Sequence, residues 1–537
     1  GDRINISVNG SKISSGGPNA MDTPLHYAPV AILESLTVHR GIAPVSVGQE
    51  TIGGSMDAKT YGGEFADSAE FVFNGRVYSG LQSVNKGNVA SATLAMANDT
   101  HLFSTSLMTE SAGNSDFSGG EVLPSEYERE RIDLAYSFQG LDHELSLSLA
   151  INNTGDAGTP ALPMDIQSID SKLLHVDHRW EGDTFSVLSS FSYNTIEHWM
   201  TNYHLRRPPQ DSMMTPGVMR YRATFAESDN YGFSLKIEQP LNNGLRRVGV
   251  DGHWSVHDAD ISNPNAMMFG ISNFNQAERD ILGIFLEQEV GLSDGIGVEA
   301  GLRVNQVAMD AGKINGNLNP MDLVTGMPVM MNNMAAMLAS GFNTQQLDHD
   351  YTNVDWFARL SVESSNFMIW YLGAARKMRA PSYQERYLWL PMEATGGLAD
   401  GITYIGNAAL DSERSHEVEA GFDYKRRSVS FYPRVFYKKV DDYIQGTPAT
   451  NMAANQFAVM MANMGMGSAN PLQFNNVDAR LYGLDLESHF QFNESLSFQA
   501  NLSMVRGARQ DVNDNLYRIS PDNFLLAANW TVDKGMA

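Results

Sequence analysis

The 537-residue chain contains no cysteine. Disulfides therefore cannot brace the fold, and no thiolate is available as a nucleophile or metal ligand. No run of about 18 apolar residues occurs, which excludes a transmembrane helix but not a membrane barrel, whose signal per strand is weaker. Basic residues are scarce, 37 against 62 acidic ones, for a formal net charge of -25. A nucleic-acid partner would call for the opposite surface, so none is expected. The opening GDRINISVNG has neither the charged nor the apolar region of a signal peptide. The end, NWTVDKGMA, is abrupt, and the sequence reads as lacking both ends of a longer protein.

Catalytic signatures are missing as well. No Gly-Lys-Ser/Thr phosphate loop, G-x-S-x-G elbow or H-E-x-x-H motif is found. Asp441-Asp442 and the Asp348/Asp350 pair read as solvated loop charges rather than an acid-base dyad. The spacing of His175 and His178 is too common to name a metal site. Neither an enzymatic activity nor an organic cofactor is expected.

What the chain does have is alternation. In ERIDLAYSFQG, Ile132, Leu134, Tyr136 and Phe138 share one face while Asp133, Ala135, Ser137 and Gln139 share the other. HELSLSLAIN and YGLDLESHFQF repeat the pattern, each followed by a Gly-, Asn- or Asp-bearing turn. Period-two runs of this kind denote an all-β sheet. A soluble sandwich uses strands of about five or six residues. A membrane barrel needs about ten, apolar toward lipid and polar toward the lumen. The long strands with a very polar second face point to the barrel. Residues 1 to about 60 differ, being glycine-rich with short β pieces such as INISVNG and LESLTVHRG. They are read as a small α/β domain ahead of the barrel.

The stretch ILESLTVHRGIAPVSVGQETIGGSMDAKT resembles the plug of TonB-dependent outer-membrane receptors, with Arg40-Gly41, Gly48 and Ile52-Gly53-Gly54 at the family positions. A second stretch, RKMRAPSYQERYLWLP through GGLADG to SERSHEVEAG, is similar to the TonB-dependent copper receptors within that family. It is taken as a family marker rather than as a source of ligands. The resemblance implies an all-β transmembrane barrel of 22 strands, here incomplete, with a partial N-terminal α/β plug. Residues 1-60 would be the C-terminal part of the plug, and 61-537 the barrel without its last strands. It also implies location in the bacterial outer membrane, among lipid and lipopolysaccharide. Energy would come from the TonB-ExbB-ExbD system, acting through a TonB box outside this sequence.

Residues 195-205, TIEHWMTNYHL, carry the chemistry. Alternation sends His198 and Met200 to one side and Trp199 to the other. With Trp199 toward lipid, the imidazole and thioether face the lumen together, a donor pair suited to the soft ion Cu(I). By resemblance, copper receptors pair such a His-x-Met with a Cys-x-x-x-Met on the plug. Here SGGPNAMDTPLHY supplies Met21, but the position four residues earlier is Gly17. The metal set carried over is therefore Met21, His198 and Met200, with His26, His204 or water as auxiliary donors. Methionine-rich segments could add weak thioether sites or could simply pack. One segment contains Met321, Met327, Met330, Met331, Met334 and Met337; another contains Met452, Met460, Met461, Met464 and Met466. Met213, Met214, Met219, Met267 and Met268 form smaller groups. The expected cargo is copper, Cu(I) favoured, or a small copper complex. The alternatives are a siderophore- or haem-type receptor on the same scaffold, and a surface interaction or adhesion barrel without transport.

Overall fold

The computed structural model describes residues 3-18, 21-210, 219-266, 269-317, 329-395, 400-463 and 467-531, with the side chains of 317, 329-333 and 395 left aside. A four-stranded sheet comes first. Its order is Ser11–Lys12, Asn5–Val8, Ser55–Thr60 and Leu33–His39, and the Asn5–Val8 and Ser55–Thr60 strands run parallel. Gly54 holds φ +99°, where a side chain would be strained and would also strike the His39 carbonyl at 2.6 Å. This is the turn that returns the chain from the 45-53 loop into the sheet.

From Val72 onward, the described residues contain eighteen strands of eight residues or more, curled into one antiparallel barrel around the first sheet. Alternation governs every wall. Leu107, Leu134 and Ile284 stand about half exposed or more on the outside. Ser106, Asn152, Asn194, Asn230 and Asn305 are buried on the inside. Such a continuous apolar exterior has no place in water and matches a lipid-facing band.

The two rims differ. At one, strands turn within a few residues, as at 98-100, 140-142, 242-243 and 294-295. At the other, the connections 202-222, 311-348, 380-412 and 449-471 are long. Short turns mark the periplasmic rim and long loops the outer face.

The long loops fold back over the mouth. Helices Val329–Asn343 and Met452–Asn463 contact one another, and Phe269, Met334, Trp389, Phe457 and Met461 join Met200 in one apolar cluster. The short helix Tyr383–Tyr387 starts with a capping box. Ser382 Oγ accepts from the Glu385 N–H, and the Glu385 carboxylate accepts from the Ser382 N–H.

The segment RAPSYQER thereby gains a structural account. The Arg379 guanidinium donates to Glu385 at 2.9 and 3.0 Å and to Glu413 at 2.8 Å. Arg3 of the plug reaches Glu413 from the other side, at 3.0 Å from Nε. The two ends of the stretch quoted for the copper-receptor resemblance meet in this buried network, which ties plug to wall.

Candidate functional site

The Ser186–Thr201 strand pairs in unbroken antiparallel register with Ala223–Leu241, and with Asp165–Glu181 across one bulge. Its alternation survives in three dimensions. Trp199 is outside, tilted against Phe225 at 4.8 Å between ring centroids. His198 and Met200 are inside and shut off from solvent, 0% and 1% exposed. Ile196, an apolar exception on the inward face, is also fully buried. It faces the plug rather than water, because a Cβ at Gly16 would lie 2.5 Å from its Cγ2.

Gly17 approaches as closely. A Cβ there would stand 2.6 Å from His198 Nδ1 and 2.8 Å from Asp22 Oδ1. The plug segment therefore lies flat on the strand, and consecutive glycines make that approach possible.

Asp22 closes the plug loop on itself. Its carboxylate accepts the Gly16 N–H at 2.7 Å, the Gly17 N–H at 2.9 Å, the Tyr27 hydroxyl at 2.7 Å and the Ser15 hydroxyl at 2.5 Å. Oδ1 stands 3.6 Å from His198 Nδ1, both side chains being fully buried. Burial alone would raise the Asp22 carboxyl. The neighbouring imidazole and the two hydroxyls outweigh it and hold the group well below the usual carboxylate range. Tyr27 is pushed well above its ordinary value by burial and by Asp22.

His198 is one of the buried polar side chains left without a partner, as Asn152 and Asn353 are. Neither of its ring nitrogens has a hydrogen-bond partner, although the side chain is wholly buried. Such groups are rare, because an unpaired buried polar atom keeps its full desolvation cost. Met200 sits two residues along the same wall, opposite Thr224 and Ile166. Met21 is half-buried and packs against both the cluster that contains Met200 and the one that contains Ile196. The seam where plug residues 16 and 17 meet the Ser186–Thr201 strand thus holds His198, and Met21 packs against the clusters that contain Ile196 and Met200.

Two residues at the seam were not singled out from sequence as site residues. Asp22 is one; it directly follows Met21, and that adjacency was the only available signal. Met164 is the other, buried just before Asp165, its sulfur accepting the Thr224 hydroxyl at 3.6 Å. It pairs with no neighbour in the sequence pattern, so nothing marked it.

The auxiliary histidines are engaged elsewhere. His26 Nε2 meets Thr154 Oγ1 at 3.1 Å, and burial, assisted by Arg129, lowers its ring to about 4. His204 lies against Thr201 Oγ1, the Ile166 carbonyl at 3.2 Å and Asp156 at 3.5 Å. His175 bridges Ser11 at 2.8 Å and Asp177 at 2.6 Å, and His178 meets His143 at 3.1 Å.

Of the methionine groups, Met334 and Met461 are buried in the apolar cap and Met460 packs against it, so these three serve packing. Met337 and Met452 face outward. Met213, Met214, Met267, Met268, Met321, Met327, Met464 and Met466, and the side chains of Met330 and Met331, lie outside the described residues. Among the described residues, no three His, Asp or Glu side chains gather to hold a metal.

The model of the family "TonB dependent receptor-like, beta-barrel" matches residues 116-535. No curated protein sequence matches the chain. Among solved structures, the copper transporter OprC superposes with a TM-score of 0.81 at 19% identity, over 99% of this chain and 78% of that one. The hemophore receptor HasR of Serratia marcescens gives 0.69 at 13% identity, over 94% and 74%. The siderophore receptor PirA of Pseudomonas aeruginosa gives 0.61 at 15% identity, over 95% and 78%. Likeness at these identities fixes the fold and leaves the cargo open. The family match spans most of the barrel, and the chain belongs to the TonB-dependent receptors, β-barrel transporters rather than enzymes, located in the outer membrane of Gram-negative bacteria.

Proposed function

We propose that this receptor binds copper, as the ion or in a small complex, at the seam of Met21, His198 and Met200 and imports it. Transport would be driven through TonB, ExbB and ExbD, within an outer leaflet of lipopolysaccharide. The observation that carries this reading is His198, a buried imidazole with both nitrogens unpaired beside a buried thioether. Imidazole with thioether suits a soft cation and offers little to a hard one. The fold likeness to a copper transporter agrees with this reading, and so does the space available. A cavity beside the plug segment, lined by Lys12, Ser15, Glu50, His253, His257 and Gln384, measures about 170 Å³. Pockets for drug-sized organic ligands span roughly 300-1,000 Å³. A ferric siderophore or haem would need the apolar cap over the seam to be cleared.

The test is copper content of the purified full-length receptor after loading under reducing conditions, in wild type and in Met21→Ala, His198→Ala and Met200→Ala. Loss in the variants supports the assignment. Equal copper in all four removes these residues from the account.

A further inference from the structure

Gly17 removes the negative charge that a thiolate would bring, yet the seam is not without one. We infer that Asp22 supplies the counter-charge of the cargo site, and that it makes the site select a soft monovalent cation over divalent ones. This rests on the copper reading above and specifies the cargo's charge.

Space at position 17 is already taken. The atoms that a Cβ would meet there are His198 Nδ1 and Asp22 Oδ1 themselves. The carboxylate therefore stands beside the imidazole on the side where a residue-17 side chain would enter. It does so as a charge rather than as a spare ligand. A carboxylate offers about four lone-pair positions, and Gly16 N–H, Gly17 N–H, Ser15 and Tyr27 already donate to it.

Its effect on a cation is exerted through His198. With Oδ1 3.6 Å from Nδ1, the carboxylate favours the ring proton on Nδ1 and leaves the lone pair on Nε2. Its action on the ring is electrostatic, because 3.6 Å is beyond hydrogen-bond reach and the acceptor positions of Asp22 are filled. The remaining donors, Met200 and Met21, are neutral thioethers. The site thus holds one negative charge in a place closed to solvent. A monovalent ion brings it to neutrality, whereas a divalent ion leaves one uncompensated positive charge buried, which is costly. Thioether sulfur adds preference for a soft ion over a hard one of equal charge.

The experiment uses full-length receptor in detergent, with Ag(I) and Cu(I) as soft monovalent probes and Zn(II) and Cu(II) as divalent ones. Wild type is expected to retain one monovalent ion per chain and to bind the divalent ions at least about 10-fold more weakly. Asp22→Asn should lower Ag(I) affinity by about 10-100-fold, the range for loss of a group acting on a metal through its ligand, and narrow the monovalent preference. Ag(I) binding by Asp22→Asn equal to wild type would overturn the role of Asp22 while leaving the cargo site standing. Wild type that binds no metal at all would overturn the copper reading and this inference together. If Asp22→Asn fails to fold, the wild-type selectivity decides alone, and divalent binding as tight as Ag(I) overturns the proposal.

Discussion

Plug and barrel wall meet in two regions built on opposite terms. Around residues 42-50, together with Arg3, the contact is saturated with charge pairs. Glu50 takes Arg279 at 2.7 Å, and Arg303 donates to Asp251 at 2.7 and 2.9 Å and to the Val45 carbonyl at 2.8 Å. Glu287 receives Ser46 N and Oγ at 3.0 Å, and Glu413 is shared by Arg3 and Arg379. Around residues 15-27 the plug also lies tight on the wall, but there a buried imidazole is left unpaired. The first region spends its polar groups on adhesion. The second leaves His198 without a partner, as the proposed cargo site would require.

That contrast can be broken experimentally, because similar substitutions should act with opposite sign. Glu413→Leu removes the carboxylate that Arg3 and Arg379 share, leaving Arg379 to Glu385 and Arg3 to the Ile444 carbonyl. Removing one partner of a buried ion network costs roughly 3-5 kcal/mol, so thermal unfolding in detergent should begin far below wild type. An unchanged transition would show that the saturated joint carries no weight.

Next in size is Gly16→Ala, whose Cβ would press on Ile196 Cγ2. Overpacking of this kind costs about 1-3 kcal/mol, and protease access to the plug should rise with it. Wild-type resistance would mean that the loop does not lie as close as described.

A smaller effect comes from pH. The His26 ring is held at about 4 in the fold, below its ordinary value near 6.5. As pH falls, the unfolded chain takes the proton first. The stability contribution is therefore complete above about 6.5 and drains away as pH falls toward 4, on the order of 1-2 kcal/mol. His26→Gln should flatten this slope between pH 7 and pH 5, and a slope unaltered by that change would assign the effect to another group.

The smallest effect is expected at the proposed cargo site itself. His198→Leu replaces an unpaired imidazole by an apolar group, while Asp22 keeps its four donors. The metal-free protein should melt at or slightly above wild type, by up to about 1 kcal/mol. A large loss would mean that His198 is a strut after all.

How far the sequence carried the description depends on whether a feature is local. Alternation is local, so the inward turn of His198 and Met200 and the outward turn of Trp199 were legible from residues 185-204 alone. The exceptions had a tertiary cause. Ile196 is apolar inside the barrel because Gly16 lies on it, 180 positions away in the chain. The role of Asp22 was hidden for the same reason, since its partners are the backbone of 16 and 17, the hydroxyls of 15 and 27, and a histidine on the wall. Arg379, Glu385 and Glu413 were visible as a motif, but the motif could not say that its function is to grip Arg3. Among the methionines, composition alone could not separate packing from binding; burial of Met334 and Met461 in the cap does so for those two.

The proposed donors lie on two bodies, Met21 on the plug and His198 and Met200 on the wall. Each half alone is a poor chelator, and the other half acts as a second ligand held at high local concentration. Pulling the plug would dilute one half away from the other, so grip and release would share a single coordinate. A cargo held this way would need no separate trigger to let go, because the stroke that opens the passage also disassembles the site.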